Sequence, residues 1–186
     1  MIKFLWMFRY FFYSLLQKKI RFLGYIGKPI FTQGLDKLYL GEKVRIFPNA
    51  RIEIHKSKMR NSYIKICNNV SIGQSLHIVS QGKLIIYSDV LISSNVLITN
   101  VDHEYYDIHT PILNQPHVEK STIIGRRCFI GFGVVIQAGT RLGKHCVVGA
   151  NSVVSGVFPD YCVIAGSPAR IIKQYNLKTE KWEKVG

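Results

Sequence analysis

The chain predicts an all-β solenoid of short strands, and three features of one stretch carry that expectation. From Ile124 to Val154 an aliphatic residue recurs every six positions, as Ile124, Ile130, Ile136, Leu142, Val148 and Val154, and four of these are followed by glycine. An internal repeat of this kind marks an architecture built by stacking one small unit. The spacing also argues against the alternatives, because an amphipathic helix asks for apolar steps of 3 and 4, and simple alternation gives no reason for a recurring glycine. Finally, Cys128, Val134, Thr140, Cys146 and Ser152 hold a second six-residue phase of small or apolar side chains. Two inward phases imply a narrow interior filled by side chains.

Two local motifs add to the repeat. Cys128-Phe129-Ile130-Gly131 resembles the C-W-I-G of the bacterial hexapeptide-repeat acyltransferases, and Ala165-Gly166-Ser167-Pro168-Ala169-Arg170 resembles their closing A-G-x-P-A-K/R. The resemblance is strongest to the sugar O-acetyltransferases of the maltose, galactoside and surface-polysaccharide type, and it covers roughly residues 40 to 173. It implies a left-handed parallel β-helix that turns once per three hexapeptides. It also implies acetyl-CoA as co-substrate and a homotrimer with sites in the clefts between columns. The repeat alone speaks only for fold, since fold does not fix function.

Taken in order, residues 1–34 read as an aromatic and basic helical segment with its connection. Phe4, Trp6, Phe8, Tyr10, Phe11, Phe12 and Tyr13 make it aromatic, and Lys18, Lys19 and Arg21 flank it. Its apolar run of about thirteen residues is short of the roughly 20 that span a bilayer, and it lacks the small-residue cleavage site of a secretory signal. A helix lying in a membrane interface and a helix packed on the column's end or on another subunit both suit these residues. Gly24 to Gly34, with Pro29, reads as the connection.

The β-helix domain is expected over 35–169. Leu40, Ile46 and Ile52 form a first set of rungs, followed by Ile66, Ile72 and Ile78, then Ile86, Ile92 and Ile98, then the six residues named above. Five sets of three make about five coils. Steps longer than six fall only between sets, so the extra residues all enter at one corner, where they leave strand pairing intact. Val163 and Ile164 begin an incomplete last coil, and Pro168 ends strand pairing because it cannot donate to a ladder. Residues 170–186 are expected to form a short capping helix.

The longest insertion, loop 99–123, is where chemistry is expected, since loops beyond about 12 to 15 residues are usually functional. It holds Asp102-His103-Glu104-Tyr105-Tyr106-Asp107. In the acetyltransferases that the chain resembles, a histidine at the start of this loop is the catalytic base, in patterns such as D-H-x-x-Y, and the resemblance carries that role to His103. A sugar hydroxyl attacking a thioester must lose its proton, and a neutral imidazole takes it near neutral pH. A backbone carbonyl or Asp107 suits orientation of the ring better than Asp102 or Glu104, because neighbours in an extended chain point apart. Related sequences often carry a further histidine two places earlier, where this chain has Val101.

The resemblance also places Phe132, Ala150, Ser155, Gly156, Arg170 and Lys173 at positions that contact acetyl-CoA in the galactoside-type enzymes. Backbone groups at Ala150 and the Ser155-Gly156 turn suit pantetheine amides, and Arg170 and Lys173 suit nucleotide phosphates. Phe132 stands where a small residue is usual, and Phe129 where tryptophan is.

Composition sets the remaining bounds. With 186 residues, 47% hydrophobic and 19% charged, the chain is long enough for one domain with a sizeable core. Its net charge is +14, and positions 1–65 hold 14 basic against 3 acidic residues. A basic end suits anionic lipid headgroups, an acidic glycan or plain solvation, whereas nucleic acid is disfavoured because no binding motif accompanies the charge. Cys67, Cys128, Cys146 and Cys162 lack metal-type spacing and read as core residues in a reducing compartment. No metal site is expected, since a zinc set through His77, His103 and His109 or His117 has no matching spacing.

With the resemblance, these readings lead to a trimeric, cytoplasmic, acetyl-CoA-dependent O-acetyltransferase. Its acceptor would be a sugar of a surface polysaccharide or a lipid-linked precursor, with optional peripheral contact to the inner face of the membrane through residues 1–23. The alternatives are an N-acyltransferase on an amino-sugar nucleotide and a non-catalytic or zinc-binding β-helix.

Overall fold

A computed structural model describes residues 2–17, 23–57 and 61–185. Three parallel sheets wrap one core. The first runs through Tyr25–Ile26, Arg45–Ile46, Ser71–Ile72, Leu91–Ile92, Phe129–Ile130, Val147–Val148 and Cys162–Gly166. The second holds Phe31–Gln33, Arg51–Ile54, His77–Ser80, Leu97–Thr99, Val135–Ile136 and Val153–Val154. The third holds Leu38–Leu40, Tyr63–Ile66, Lys83–Ile86, Thr122–Ile124, Arg141–Leu142 and Val157–Phe158. The chain visits the three sheets in that order on every pass, the arrangement that fits a left-handed parallel β-helix.

The register explains the repeat. Leu40, Ile66, Ile86, Ile124, Leu142 and Phe158 stack directly on one another, and all are buried. Each fully buried aliphatic side chain contributes roughly 1.5–3 kcal/mol. The second phase is also inside, with Cys128, Val134, Thr140, Cys146 and Ser152 all buried. Cys162 continues that stack, its sulfur 3.6 Å from that of Cys146. The hydrogen bond with Cys146, together with burial, pushes the Cys128 thiol far above its ordinary range, so it stays protonated as a core group.

Two expectations need correction. Thr32 stacks on Ile52 and Ile26 on Ile46, so residues 25–40 form a complete first coil rather than a connection. The column therefore has six coils and a seventh strand in the first sheet, and it begins ahead of residue 35. The aliphatic signature fails there because Thr32 fills an inward position and Pro29 interrupts the approach.

The second correction concerns residues 170–186, which do not form a helix. Ala169–Asn176 folds back antiparallel on Cys162–Gly166, and Lys181–Lys184 pairs antiparallel with it in turn. The last parallel strand leaves an open edge of N–H and C=O groups, and a hairpin satisfies them as a helix cannot. Ile171, Ile172, Tyr175 and Trp182 also favour strands, and the Tyr175 ring packs between Tyr161 and Trp182 at 6.2 and 5.4 Å.

Helix α1, Ile2–Leu15, closes the opposite end. Tyr10 is fully buried and its hydroxyl donates to the Gly41 carbonyl. Arg9 donates to the Ile26 carbonyl at 2.8 Å. Just beyond the helix, Gln17 donates to the Leu38 carbonyl at 2.7 Å and accepts from the Leu40 N–H at 3.1 Å. Trp6 packs on Tyr25 and Phe47 at 5.7 and 6.3 Å. The helix thus packs on the column, as one of the two readings held. Lys18, Lys19 and Arg21, counted as its basic flank, lie outside the described residues. Among those described, no helix is long and apolar enough to cross a membrane.

Candidate functional site

The large insertion enters between the second and third sheets, at the corner the spacing indicated, but it is not an irregular loop. Val101–His103 and His117–Glu119 pair as an antiparallel arm, with His103 directly opposite His117. Its base is tied at several points. Buried Asn100 accepts the Gln81 N–H through its side chain at 2.8 Å and the Lys120 N–H through its carbonyl at 2.9 Å. The Thr122 hydroxyl donates to the Thr99 carbonyl at 2.7 Å. The tip is held by Gln115, whose amide donates to the Asp107 and Thr110 carbonyls at 2.8 and 2.7 Å.

Asp107 accepts from the Thr110 hydroxyl at 2.7 Å and from the His109 N–H at 2.9 Å. The Thr110 hydroxyl holds its carboxyl below the usual carboxylate range. It is engaged in its own turn, so it is not the group beside the His103 ring.

That group is His117. The two imidazoles meet edge to face, with centroids 4.6 Å apart and planes at 81°. His117 Nδ1 lies 2.7 Å from Gln81 Oε1. An amide oxygen only accepts, so Nδ1–H is the donor in this contact, and in the neutral ring Nε2 is then the nitrogen with the lone pair. Both histidines are exposed to solvent. With His55, Lys56, Val79, Gln81, Val101 and Asp102 they line a cavity of about 450 Å³.

Glu53 lies next to His55 on the second sheet and is nearly buried. Arg51 Nε reaches its carboxylate at 2.5 Å, His77 Nε2 at 3.1 Å and His55 Nε2 at 3.5 Å. The Arg51 hydrogen bond keeps its carboxyl below the usual glutamate range. His77 is therefore directed to Glu53 rather than to the arm. Among the described residues, no three His, Cys, Asp or Glu side chains gather as metal ligands.

The six residues expected on the donor side lie elsewhere. Phe132 and Ala150 occupy successive corners between the first and second sheets, and the N–H of Asn151 donates to the Phe132 carbonyl at 2.8 Å. Ser155 and Gly156 form the corner between the second and third sheets on the last coil. Arg170 and Lys173 stand exposed on the returning strand, with Arg170 Nη1 donating to the Ala169 carbonyl at 2.9 Å. None of the six lines the cavity at His103. Sequence reasoning set His117 beside His103 only as a rejected zinc pairing and did not find Gln81, because a pairing across an antiparallel arm leaves no short-range periodicity.

Fold and site together define the class as a hexapeptide-repeat β-helix that carries a histidine arm at its insertion corner. Residues 121–156 match the family described as "Bacterial transferase hexapeptide (six repeats)". Among the relatives, WbbJ of Escherichia coli (strain K12), named for lipopolysaccharide biosynthesis O-acetyl transfer, is 39% identical over 126 residues, covering 63% of this chain and 64% of its own. Galactoside O-acetyltransferase of the same strain is 31% identical over 120 residues, with coverages of 61% and 58%. The chain thus spans less than two thirds of the length of either relative. Among solved structures, AntD, an N-acyltransferase from Bacillus cereus in complex with dTDP and 3-hydroxybutyryl-CoA, superposes with a TM-score of 0.70 at 19% identity, over 84% of this chain and 82% of that one. That likeness shows the shared fold.

Proposed function

We propose that the protein is an acetyl-CoA-dependent O-acetyltransferase acting on a sugar hydroxyl of a bacterial surface polysaccharide or its lipid-linked precursor. The observation that carries this reading is the His103–His117 pair over a cavity open to solvent, on a column whose relatives are named for acetyl transfer to sugars and lipopolysaccharide. His103 takes the proton of the acceptor hydroxyl as its oxygen attacks the thioester carbonyl. The tetrahedral intermediate then expels the CoA thiolate, which receives that proton from the imidazolium. An acetyl ester and free CoA leave, with no covalent acyl-enzyme. His117, held by Gln81, braces the ring of His103.

On the donor side, Phe132, Ala150, Ser155 and Gly156 are proposed to border the pantetheine arm, and Arg170 and Lys173 to meet the phosphates. These residues stand apart from the cavity of their own chain. A homotrimer would answer that separation by bringing one column's donor surface to the arm of the next.

The test is to incubate the protein with acetyl-CoA and either hydroxyl-bearing glycans or amino-sugar nucleotides, following thiol release. Thiol release with the glycans and an alkali-labile product are expected. Turnover confined to amine acceptors, with an alkali-stable product, would overturn the O-acetyl reading. A second measurement addresses the donor: Arg170→Ala with Lys173→Ala should weaken CoA binding by about tenfold or more, because hydrogen bonds to charged groups contribute roughly 1.5–3 kcal/mol each. Calorimetry showing unchanged affinity would return both residues to a solvated surface.

A further inference from the structure

We infer that α1 docks the column end-on against an anionic membrane surface, its inner face locked to the first coil and its outer face in the lipid interface. The inference does not depend on which acyl transfer the arm performs. From Arg9 at Ile26, in the first sheet, to Gln17 at Leu38 and Leu40, in the third, the N-terminal segment lies across the open end of the column. What it turns away from the column is apolar. Phe4 is 72% exposed, Phe8 61% and Phe12 52%, at the four-residue spacing that puts side chains on one face of a helix. Leu5, Leu15 and Leu16 extend the patch. A contiguous apolar surface of this kind marks an interaction site.

Charge identifies the occupant. Residues 1–35 contain Lys3, Lys18, Lys19, Arg21 and Lys28, besides Arg9, whose guanidinium is turned to the column, and no Asp or Glu. A second copy placed on this face by a two-fold axis would set two such basic ends against each other, which electrostatic complementarity disfavours. An anionic bilayer attracts the charge and accepts the aromatics, the composition of helices that lie in the interface plane. At about 1.5 Å per residue the 14-residue helix is about 21 Å long, short of the roughly 30 Å hydrocarbon core, so it lies on the membrane rather than through it. The arm leaves from the fourth rung of the second sheet, three strand spacings or about 14 Å along the column from the first rung. Docking would hold the His103 cavity within reach of acceptors carried by lipid headgroups.

The experiment is sedimentation of the full-length protein with vesicles of phosphatidylcholine alone or mixed with phosphatidylglycerol, at low and high salt. The wild type should pellet with the mixed vesicles at low salt, and less so at high salt because the charge attraction is screened. Phe8→Glu with Phe12→Glu should lower the bound-to-free ratio by at least about tenfold, with thermal melting and turnover on a soluble acceptor unchanged. Phe4→Gln with Leu5→Gln gives a milder pair should the first melt early. A wild type that stays in the supernatant with both vesicle types overturns the inference. So does a variant that binds vesicles normally but loses its oligomeric state, since the face would then be a subunit contact.

Discussion

Replacing His103 with alanine is expected to lower acetyl transfer to a sugar hydroxyl by about 10²–10⁴-fold, the usual contribution of a positioned general base. Affinity for acetyl-CoA should stay nearly constant, because the residues proposed for the donor side do not line the cavity at His103. Steady-state rates combined with calorimetry separate the two quantities. The neighbouring histidine makes the experiment discriminating. In the neutral ring its Nε2 also carries a lone pair, so His117→Ala must be measured beside His103→Ala. Should His103→Ala keep half the wild-type rate while His117→Ala loses it, the base is His117. Gln81→Leu removes the acceptor of the His117 Nδ1 proton and should cost up to about tenfold, in line with one hydrogen bond of roughly 0.5–1.5 kcal/mol. Such an intermediate loss, restored by Gln81→Glu, would identify Gln81 as a positioning residue.

A single methyl group on Gly125 is expected to destabilise the column by about 3 kcal/mol, the upper part of the range for overpacking a filled interior. An ideal Cβ there would overlap the Gly143 carbonyl oxygen of the next coil and stand 2.5 Å from its carbon. These are backbone atoms, which cannot swing aside as a flexible side chain would. Gly131 is similarly placed, 2.7 Å from the Ala150 nitrogen. The recurring glycine of the repeat therefore answers close approach of stacked coils. At Gly156 the situation reverses, with φ at 105° and nothing within 4 Å of a Cβ. There an alanine pays only for backbone conformation, of order 1–3 kcal/mol. Thermal melts of both variants test the distinction: Gly125→Ala should lower the melting temperature by about 6–12 °C for a domain of this size. An unchanged melt at Gly125 would show that the coils separate easily and that the glycine has another purpose.

How far the sequence reached depends on the range of each interaction. The rungs were legible because every inward aliphatic residue stacks on its like one coil away, and that requirement repeats itself at a fixed step along the chain. The insertion corner followed for the same reason, as the one place where the step lengthens. The expectation for His103 rested only on its motif and its loop, and its role stays a proposal.

Tertiary structure decided what depends on edges and on distant partners. Thr32 is an inward rung although nothing in its chemistry says so, because Ile52 lies in register beneath it. The closing segment is a hairpin because the last parallel strand presents unpaired backbone groups. His117 becomes the neighbour of His103 because two stretches fourteen residues apart pair antiparallel. Residues 1–35 are aromatic and basic by sequence alone, but which aromatics face outward was settled when Trp6, Arg9 and Tyr10 found partners on the first coil. The sequence by itself determined the repeating cross-section of the column, since each rung is set by its own six residues. Only the tertiary structure decided the two ends and the arm, where a segment's conformation is chosen by the surface it must cover.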